Sequence, residues 1–308
     1  MSSITTTDER IDEILAYCND HGEPKACTEF NINIETLHRY QRLRRWRDTR
    51  QPKILLLDIE TARMIFGGWR CGKQYVGAGQ IIKDWFMLGW ACKWLFSADM
   101  QSDFVTAKEA LLRDDKRVCK SLWKLVNDAD VIITHNGNSF DLPKINSRFF
   151  LNGIKPPMPY ATIDTCRVSR KYFGFSSNAL NYLGKIMLNK EKINTNYQLW
   201  IDCENGDQEQ LDFMEDYCKA DTGLLEEVYL ELRPWIKSHV NMGVLMDAHE
   251  PCCPNCGSFK IKDGKGYYTT PQNYYIAVRC KSCGAVNRRK SSEITKEQRK
   301  VMLVPNAR

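Results

Sequence analysis

Asp58 and Glu60 stand two residues apart at the end of the aliphatic run "KILLLDIET". Alternate side chains of a strand share a face, so this spacing predicts two carboxylates projecting from one side of a strand end. Each charge raises the cost of the other unless a cation lies between them. Oxygen-only ligands suit a hard ion such as Mg²⁺ or Mn²⁺. A pair solvated at a sheet edge is the competing reading, and further carboxylates have to decide. In "DADVIITHNGNSFDLPKI" a short buried strand ends in the polar turn "THNG", and Asp141 opens the helix that follows. In "DYCKADTGLL", Tyr217 and Asp221 are four residues apart, hence neighbours on one helix face. A Tyr one turn from an Asp is ordinary alone; joined to Asp58, Glu60 and Asp141 it is not.

A second constellation lies near the C-terminus. Cys253-x-x-Cys256 and Cys280-x-x-Cys283 are two CxxC knuckles with 23 residues between them. Thiolates at this spacing close a tetrahedral Zn²⁺ site, and a short module without a core of its own gains its fold from the metal. Cys252 is the spare and is not expected to be a ligand. Between the knuckles, "IKDGKGYYTTPQNYYIAV" predicts a β-hairpin presenting Tyr267, Tyr268, Tyr274 and Tyr275. The run "NRRKSSEITKEQRK" follows, with Arg288, Arg289 and Lys290 at its head. Aromatics interleaved with cations suit base stacking and phosphate neutralisation. A ribbon of this kind also serves protein contacts, and that reading stays open.

The elements that must position these groups fall into three regions: 1–50, 51–245 and 250–308, with the last boundary around residues 243–250. In the first, Ile11, Ile14, Leu15 and Cys18 recur at helical spacing up to Gly22. A short helix with Pro24 in its first turn and Asn31 near its end follows. Asn33 then caps a third helix carrying Arg39, Arg42, Arg44 and Arg45. Three helices with a tight turn before a basic third resemble a helix-turn-helix, with a plain helical cap as the alternative. In the middle region "KILLLDIET" is a strand, with a glycine-rich turn at Gly67, Gly68 and Gly72. "IIKDWFMLGWACKWLF" is read as two strands with Gly89 near a bend or hairpin. "TAKEALLRDDKRVCKSLWKLVND" has helical spacing, and "ADVIITHN" and "YATIDT" are short strands. "FDLPKINSRFFLNG", "NALNYLGKIML" and the long stretch from Asp207 to Ile236 are helical. Adjacent strands followed by strands alternating with helices imply an α/β fold with a mixed sheet flanked by helices.

Composition narrows the class. The 308 residues are 43% hydrophobic and 27% charged, with no apolar run approaching the roughly 18 residues of a membrane span. The first residues lack a charged segment followed by an apolar one, so no signal peptide is expected, and a reducing, cytoplasmic setting is. The thirteen cysteines are therefore expected as thiols or metal ligands rather than disulfides. The net charge of +6 is uneven: residues 250–308 carry twelve basic and four acidic residues, residues 1–53 nine of each. A slightly acidic middle with a basic appendage suits metal ions at the centre and a polyanion at the edge. A basic tail that serves only as solvated surface is the alternative.

In order and spacing, "DIE", "HNGNSFD" and "YCKAD" resemble the three motifs of the DEDD 3′–5′ exonucleases of the ribonuclease-H-like fold, in the DEDDy subgroup whose third motif is Tyr-x-x-x-Asp. The resemblance covers roughly residues 53–235, and "IDT" at Asp164 and "NALNYLG" join it. The long aromatic insert between the first motif and Trp94 departs from it. It implies that Asp58, Glu60 and Asp221 ligate one divalent ion, that Asp58 also reaches a second, and that Asp141 holds this second ion. Two such ions stabilise the attacking and leaving oxygens of in-line phosphodiester hydrolysis. Tyr217 would orient the attacking water, because a phenol with an ordinary pKa near ~10 is a weak general base. Asn136 and Phe140 become candidates for contacting the terminal nucleotide, with turn geometry and core packing as their alternatives. The enzymes it resembles most are proofreading-type exonucleases and phage or viral nucleases. They imply single-stranded DNA as substrate, a replication or polymerase partner, and a host cytoplasm if the protein is virus-encoded. RNA processing is the rival activity, and a non-catalytic nucleic-acid-binding protein the rival class.

Overall fold

The computed structural model describes residues 8–49, 51–70, 72–190, 193 and 195–303. Two compact units emerge: Lys53–Val240, and a second formed by Met1–Pro52 with Asn241–Arg308.

The chain opens with helices α1 (Asp8–His21), α2 (Glu23–Glu29) and α3 (Ile34–Thr49). Gly22, at φ +85°, breaks α1 from α2 in a conformation that L side chains rarely adopt. Asn33 caps α3, its Oδ1 accepting the Thr36 N–H at 2.7 Å. Ile11, Ile14, Leu15 and Cys18 meet Ala26, Leu37 and Tyr40 in a small core of their own. Arg39 is exposed and Arg44 faces Asp12 at 3.9 Å, whereas the side chains of Arg42 and Arg45 lie outside the described residues.

The central unit contains strands β1 (Ile54–Thr61), β2 (Ile65–Phe66), β3 (Ile81–Lys83), β4 (Met87–Trp94), β5 (Met100–Phe104), β6 (Val131–Thr134) and β7 (Ala161–Asp164). Its helices are α4 (Ala107–Leu112), α5 (Lys116–Asp128), α6 (Asp141–Leu151), α7 (Thr165–Tyr172), α8 (Leu180–Leu188), α9 (Tyr197–Glu204) and α10 (Gln208–Leu232). Five strands form one sheet in the order β5-β4-β1-β6-β7. β4 runs antiparallel to β1 and β5, while β6 runs parallel to β1 and β7. The mixed sheet is the one the sequence predicts. Residues Ile54–Leu57 and Met87–Cys92 are buried, because helices including α5 and α10 cover the sheet. Among the described residues β2 and β3 pair with each other and with no other strand. The helical stretch after residue 106 is two helices, broken at Arg113, which adopts a left-handed conformation at φ +54°. β5, α7 and α9 are elements that the sequence pattern does not predict.

Gly89 corrects a reading of the sequence. It lies inside β4, opposite Glu60 on one side and Phe104 on the other, not in a hairpin but next to a register shift of the β1–β4 ladder at Glu60/Thr61. A Cβ at this position would fall on the Phe104 ring. Gly89→Ala is therefore expected to destabilise the unit by about 1–3 kcal/mol through overpacking. Thermal unfolding followed by circular dichroism checks it, and Phe104→Leu in the same chain should restore part of the stability.

The remainder holds α11 (Met242–Leu245), within the stretch expected as linker, then β8 (Ile261–Thr270), β9 (Asn273–Cys280), β10 (Val286–Arg288) and α12 (Lys296–Val301). β8 and β9 form the expected hairpin, with β10 on the far side of β9. Tyr268 pairs with Tyr275 across the ladder, and Tyr267 meets Tyr274 edge-on at 5.2 Å. Among the described residues no helix is long and apolar enough to cross a membrane.

Candidate active site

α10 reaches the end of β1 through two small side chains that let helix and sheet approach closely. Cys218 Sγ donates to the Asp58 carbonyl at 3.6 Å and to its Oδ2 at 3.4 Å. Thr222 Oγ1 donates to the carbonyl of Ala91, the residue paired with Asp58. Tyr217 and Asp221, each one position earlier, are carried to the strand end by the same packing. Carboxylate oxygens of Asp58, Glu60 and Asp221 come within 4.8 Å of one another. A cleft of about 450 Å³ opens there, lined by Asp58, His135, Leu180, Asn181, Tyr217 and Asp221. Tyr217 is 7% exposed, and its ring meets Trp200 of α9 edge-on at 6.3 Å. Burial, with the charges of Asp58 and Glu60, pushes the Cys218 thiol well above its usual range, so it stays a neutral donor beneath the carboxylates.

Asp141 is not in that group of three. β6 pairs with β1 only as far as Leu56, and beyond it Asp141 Oδ1 accepts the Ile59 N–H at 3.3 Å. Asp141 is 4% exposed, and its carboxyl is lifted to about 7. Burial is the main cause and the Asp164 charge adds to it, while the N–H groups of Ile59 and of Asp141 itself oppose it. The sign follows from linkage. The folded protein holds this proton more tightly than the unfolded chain, so the contribution is full below the unfolded value near 4 and is lost as pH rises through about 7. Metal-free protein should therefore lose thermal stability across that window, and Asp141→Asn should flatten the dependence. Melting curves at a series of pH values check both.

The polar turn is organised from β7. Asp164 accepts the backbone N–H groups of Asn136 at 2.9 Å, Asn138 at 3.2 Å and Arg167 at 3.1 Å. Asn136 sits at φ +68°, and its carbonyl receives the N–H groups of Ser139 and Phe140, so turn geometry is part of its role. Phe140 is 41% exposed with the Lys144 ammonium 4.7 Å from its ring, which overturns core packing as an account of it. His135 opens the motif "HNGNSFD" but is given no role by the sequence, although it directly follows a buried strand, the position where an open α/β sheet places ligand contacts. Its ring nitrogens lie 2.8 Å from Thr165 Oγ1 and 2.8 Å from the Asn178 carbonyl.

In the C-terminal module the thiols of Cys253, Cys256, Cys280 and Cys283 cluster, and Cys252 is not among the four. The Sγ separations are 3.7 Å for Cys253–Cys283 and 3.6 Å for Cys256–Cys280. A tetrahedron with Zn–S bonds near 2.3 Å has edges of about 3.8 Å, so the donor set and its spacing fit that ion. Burial raises the Cys280 thiol, but N–H groups of Cys283 and Ser282 aimed at its sulfur outweigh it and leave it at about 7. Nearby, the Arg288 guanidinium lies 4.0 Å from the Tyr275 ring centroid, and Arg289 is bound to Asp263 at 2.8 Å rather than standing as a free cation. Tyr267 and Lys290 are exposed, and Tyr274 is half-buried.

Residues 92–233 match the family model described as the RNase_H superfamily. The matched segment contains Asp141, Tyr217 and Asp221; Asp58 and Glu60 precede it and join them only in space. No curated protein matches the sequence. Among solved structures, the family B DNA polymerase of the hyperthermophilic archaeon Pyrobaculum calidifontis is similar at 15% identity and a TM-score of 0.42, over 72% of this chain and 32% of the polymerase. The chain thus spans about a third of that polymerase's length. With its strand order β5-β4-β1-β6-β7, the flanking helices and the family match across β5, β6, β7 and α10, the unit Lys53–Val240 carries a ribonuclease-H-like domain.

Proposed function

We propose that the protein is a metal-dependent 3′–5′ exonuclease of the DEDDy type acting on single-stranded DNA. The observation that carries this is the meeting of Asp58, Glu60 and Asp221 within 4.8 Å of one another in a cleft that Tyr217 also lines. Three carboxylates this close offer oxygen donors only, which fits Mg²⁺ or Mn²⁺, and they repel one another without a cation. Divalent ions bound there would neutralise phosphate charge and activate water. Asp141, from the outer position, completes the ligand set. The Tyr217 hydroxyl orients the attacking water, and Trp200 holds its ring. His135 and Asn181 line the cleft beside the carboxylates, and exposed Phe140 offers a face to a terminal base. The four cysteines hold one Zn²⁺ and make residues 250–308 a ribbon. Tyr267, Tyr274, Arg288, Arg289 and Lys290 then grip nucleic acid, with α1–α3 as a helix-turn-helix-like companion.

The test is a 5′-labelled single strand incubated with Mg²⁺ or Mn²⁺. A ladder shortening from the 3′ end is expected. Immediate release of the labelled nucleotide would reverse the polarity, and a matched RNA strand degraded faster than DNA would reassign the substrate. An intact strand in both arms would reject the enzyme.

A further inference from the structure

The central unit carries a second surface beside the carboxylate cleft. Asn138, Asp164, Arg167, Lys171 and Tyr172 line a smaller cleft of about 180 Å³. One contact links the walls of the two clefts, between His135 of the first and Thr165, the neighbour of Asp164 in the second. β6 and β7 run parallel, so His135 and Thr165, each one residue beyond its strand, emerge at one sheet edge and meet at 2.8 Å. The charge of Asp164 is directed inward, onto the N–H groups of Asn136, Asn138 and Arg167. What faces outward is positive: Arg167, Lys171 and Lys237 are exposed. The ammonium groups of Lys171 and Lys237 lie 5.2 and 6.0 Å from the Tyr172 ring. The Tyr172 hydroxyl is drawn below its ordinary pKa first by its hydrogen bond with Ser238 and then by these lysines. Alongside, Trp235 is 63% exposed and set edge-on against Phe173 at 5.6 Å. Phe173 in turn stacks on Phe175 at 4.9 Å with an interplanar angle of 8°.

We propose that this surface, from Arg167, Lys171 and Lys237 to the Trp235–Phe173–Phe175 platform, carries the internal nucleotides of a single-stranded nucleic acid whose end occupies the carboxylate cleft. It rests on the nuclease reading of that cleft. Charge complementarity is the reason. A cleft with three carboxylates repels a polyanion, and cations at the adjoining edge offset the repulsion by holding internal phosphates. The exposed Trp235, backed by half-buried Phe173 and Phe175, offers those cations a neighbouring aromatic face that accepts any base, which suits a strand that must slide.

The full-length protein is compared with Arg167→Glu/Lys171→Glu and Trp235→Ala in two measurements. One is hydrolysis of a trinucleotide and of a strand of about 12 nucleotides. The other is fluorescence-anisotropy binding of the longer strand, with Asp58→Asn added to each protein to prevent cleavage. The charge reversals should weaken long-strand binding at least about tenfold. They should also reduce the salt dependence, by about 0.7 in log–log slope for each phosphate that is no longer neutralised. Trp235→Ala should weaken binding about tenfold. Trinucleotide hydrolysis should stay at the wild-type rate, which also certifies folding. The charge variant carries the test alone if Trp235→Ala does not fold. Long-strand binding equal to wild type in the charge variant overturns the proposal, as does an equal loss on short and long substrates. If the unmodified protein cuts neither strand but the variants lose binding, the track stands and the nuclease reading falls. If it cuts both and the variants bind normally, the track falls alone.

Discussion

Asp58→Asn should abolish hydrolysis while leaving the metal-free protein at least as stable as the parent. The side chain keeps its size, and its oxygen can still receive the Cys218 thiol at the Oδ2 position, 3.4 Å away. What disappears is one of three negative charges held within 4.8 Å. Bound cations contribute several kcal/mol to phosphodiester cleavage, and about 4 kcal/mol is already a factor of ~10³ in rate. A loss of at least that size is expected in a single-turnover assay on a labelled strand. Relief of like-charge repulsion works in the opposite direction on stability, as is usual where a site is built from groups that disfavour folding. The melting temperature without metal should hold or rise, and the increase that Mg²⁺ or Mn²⁺ produces in the parent should shrink. Retained hydrolysis would remove Asp58 from the site, and a large drop in metal-free stability would make its role structural.

The other large effect is expected at the cysteine cluster. Cys253→Ser should release the zinc, about one ion per chain, whereas Cys252→Ser should retain it. Zinc binding in small thiolate modules supplies roughly 10–16 kcal/mol of apparent free energy at neutral pH, and that is also their folding free energy. The buried groups around the cluster explain the dependence: Cys253, Cys280 and Ala285 form its core, with Ile261 packed against them, far too little apolar surface to hold a hairpin alone. In the Cys253→Ser protein the segment 261–288 should become rapidly cleaved in limited proteolysis while 53–240 stays protected. Zinc analysis and mass spectrometry of the fragments read the two outcomes. Zinc retained in Cys253→Ser, or released equally from Cys252→Ser, would refute the ligand assignment.

Much of the site is legible in the sequence because its parts are local. The strand "ILLLD" announces itself by four consecutive aliphatics, and the pairing of Tyr217 with Asp221 needs only the pitch of a helix. Gly89 reads as a bend because a glycine among aromatics is a bend signal by default; only the arrival of β5, with Phe104 over that position, makes it a requirement of the sheet. α9 gives no such signal, so the support that Trp200 lends to Tyr217 is visible only in three dimensions. The exposed face of Phe140 is equally hidden, because a single aromatic before a helix carries no local sign of which way the chain turns.

Local pattern in the chain specifies which groups are available: two carboxylates on one strand face, a Tyr and an Asp on one helix face, four cysteines in two knuckles. These depend on periodicities of 2 and 3.6 and on short loops, which act over a few residues. Which of them meet is set by the packing of distant segments. Asp221 joins Asp58 and Glu60 because Cys218 and Thr222 seat α10 against β1 and β4. Asp141 stays outside the group of three because its carboxylate takes the Ile59 N–H where β6 no longer pairs with β1. Both outcomes turn on packing and hydrogen bonds between segments 80 to 160 positions apart, a distance at which local pattern carries no information.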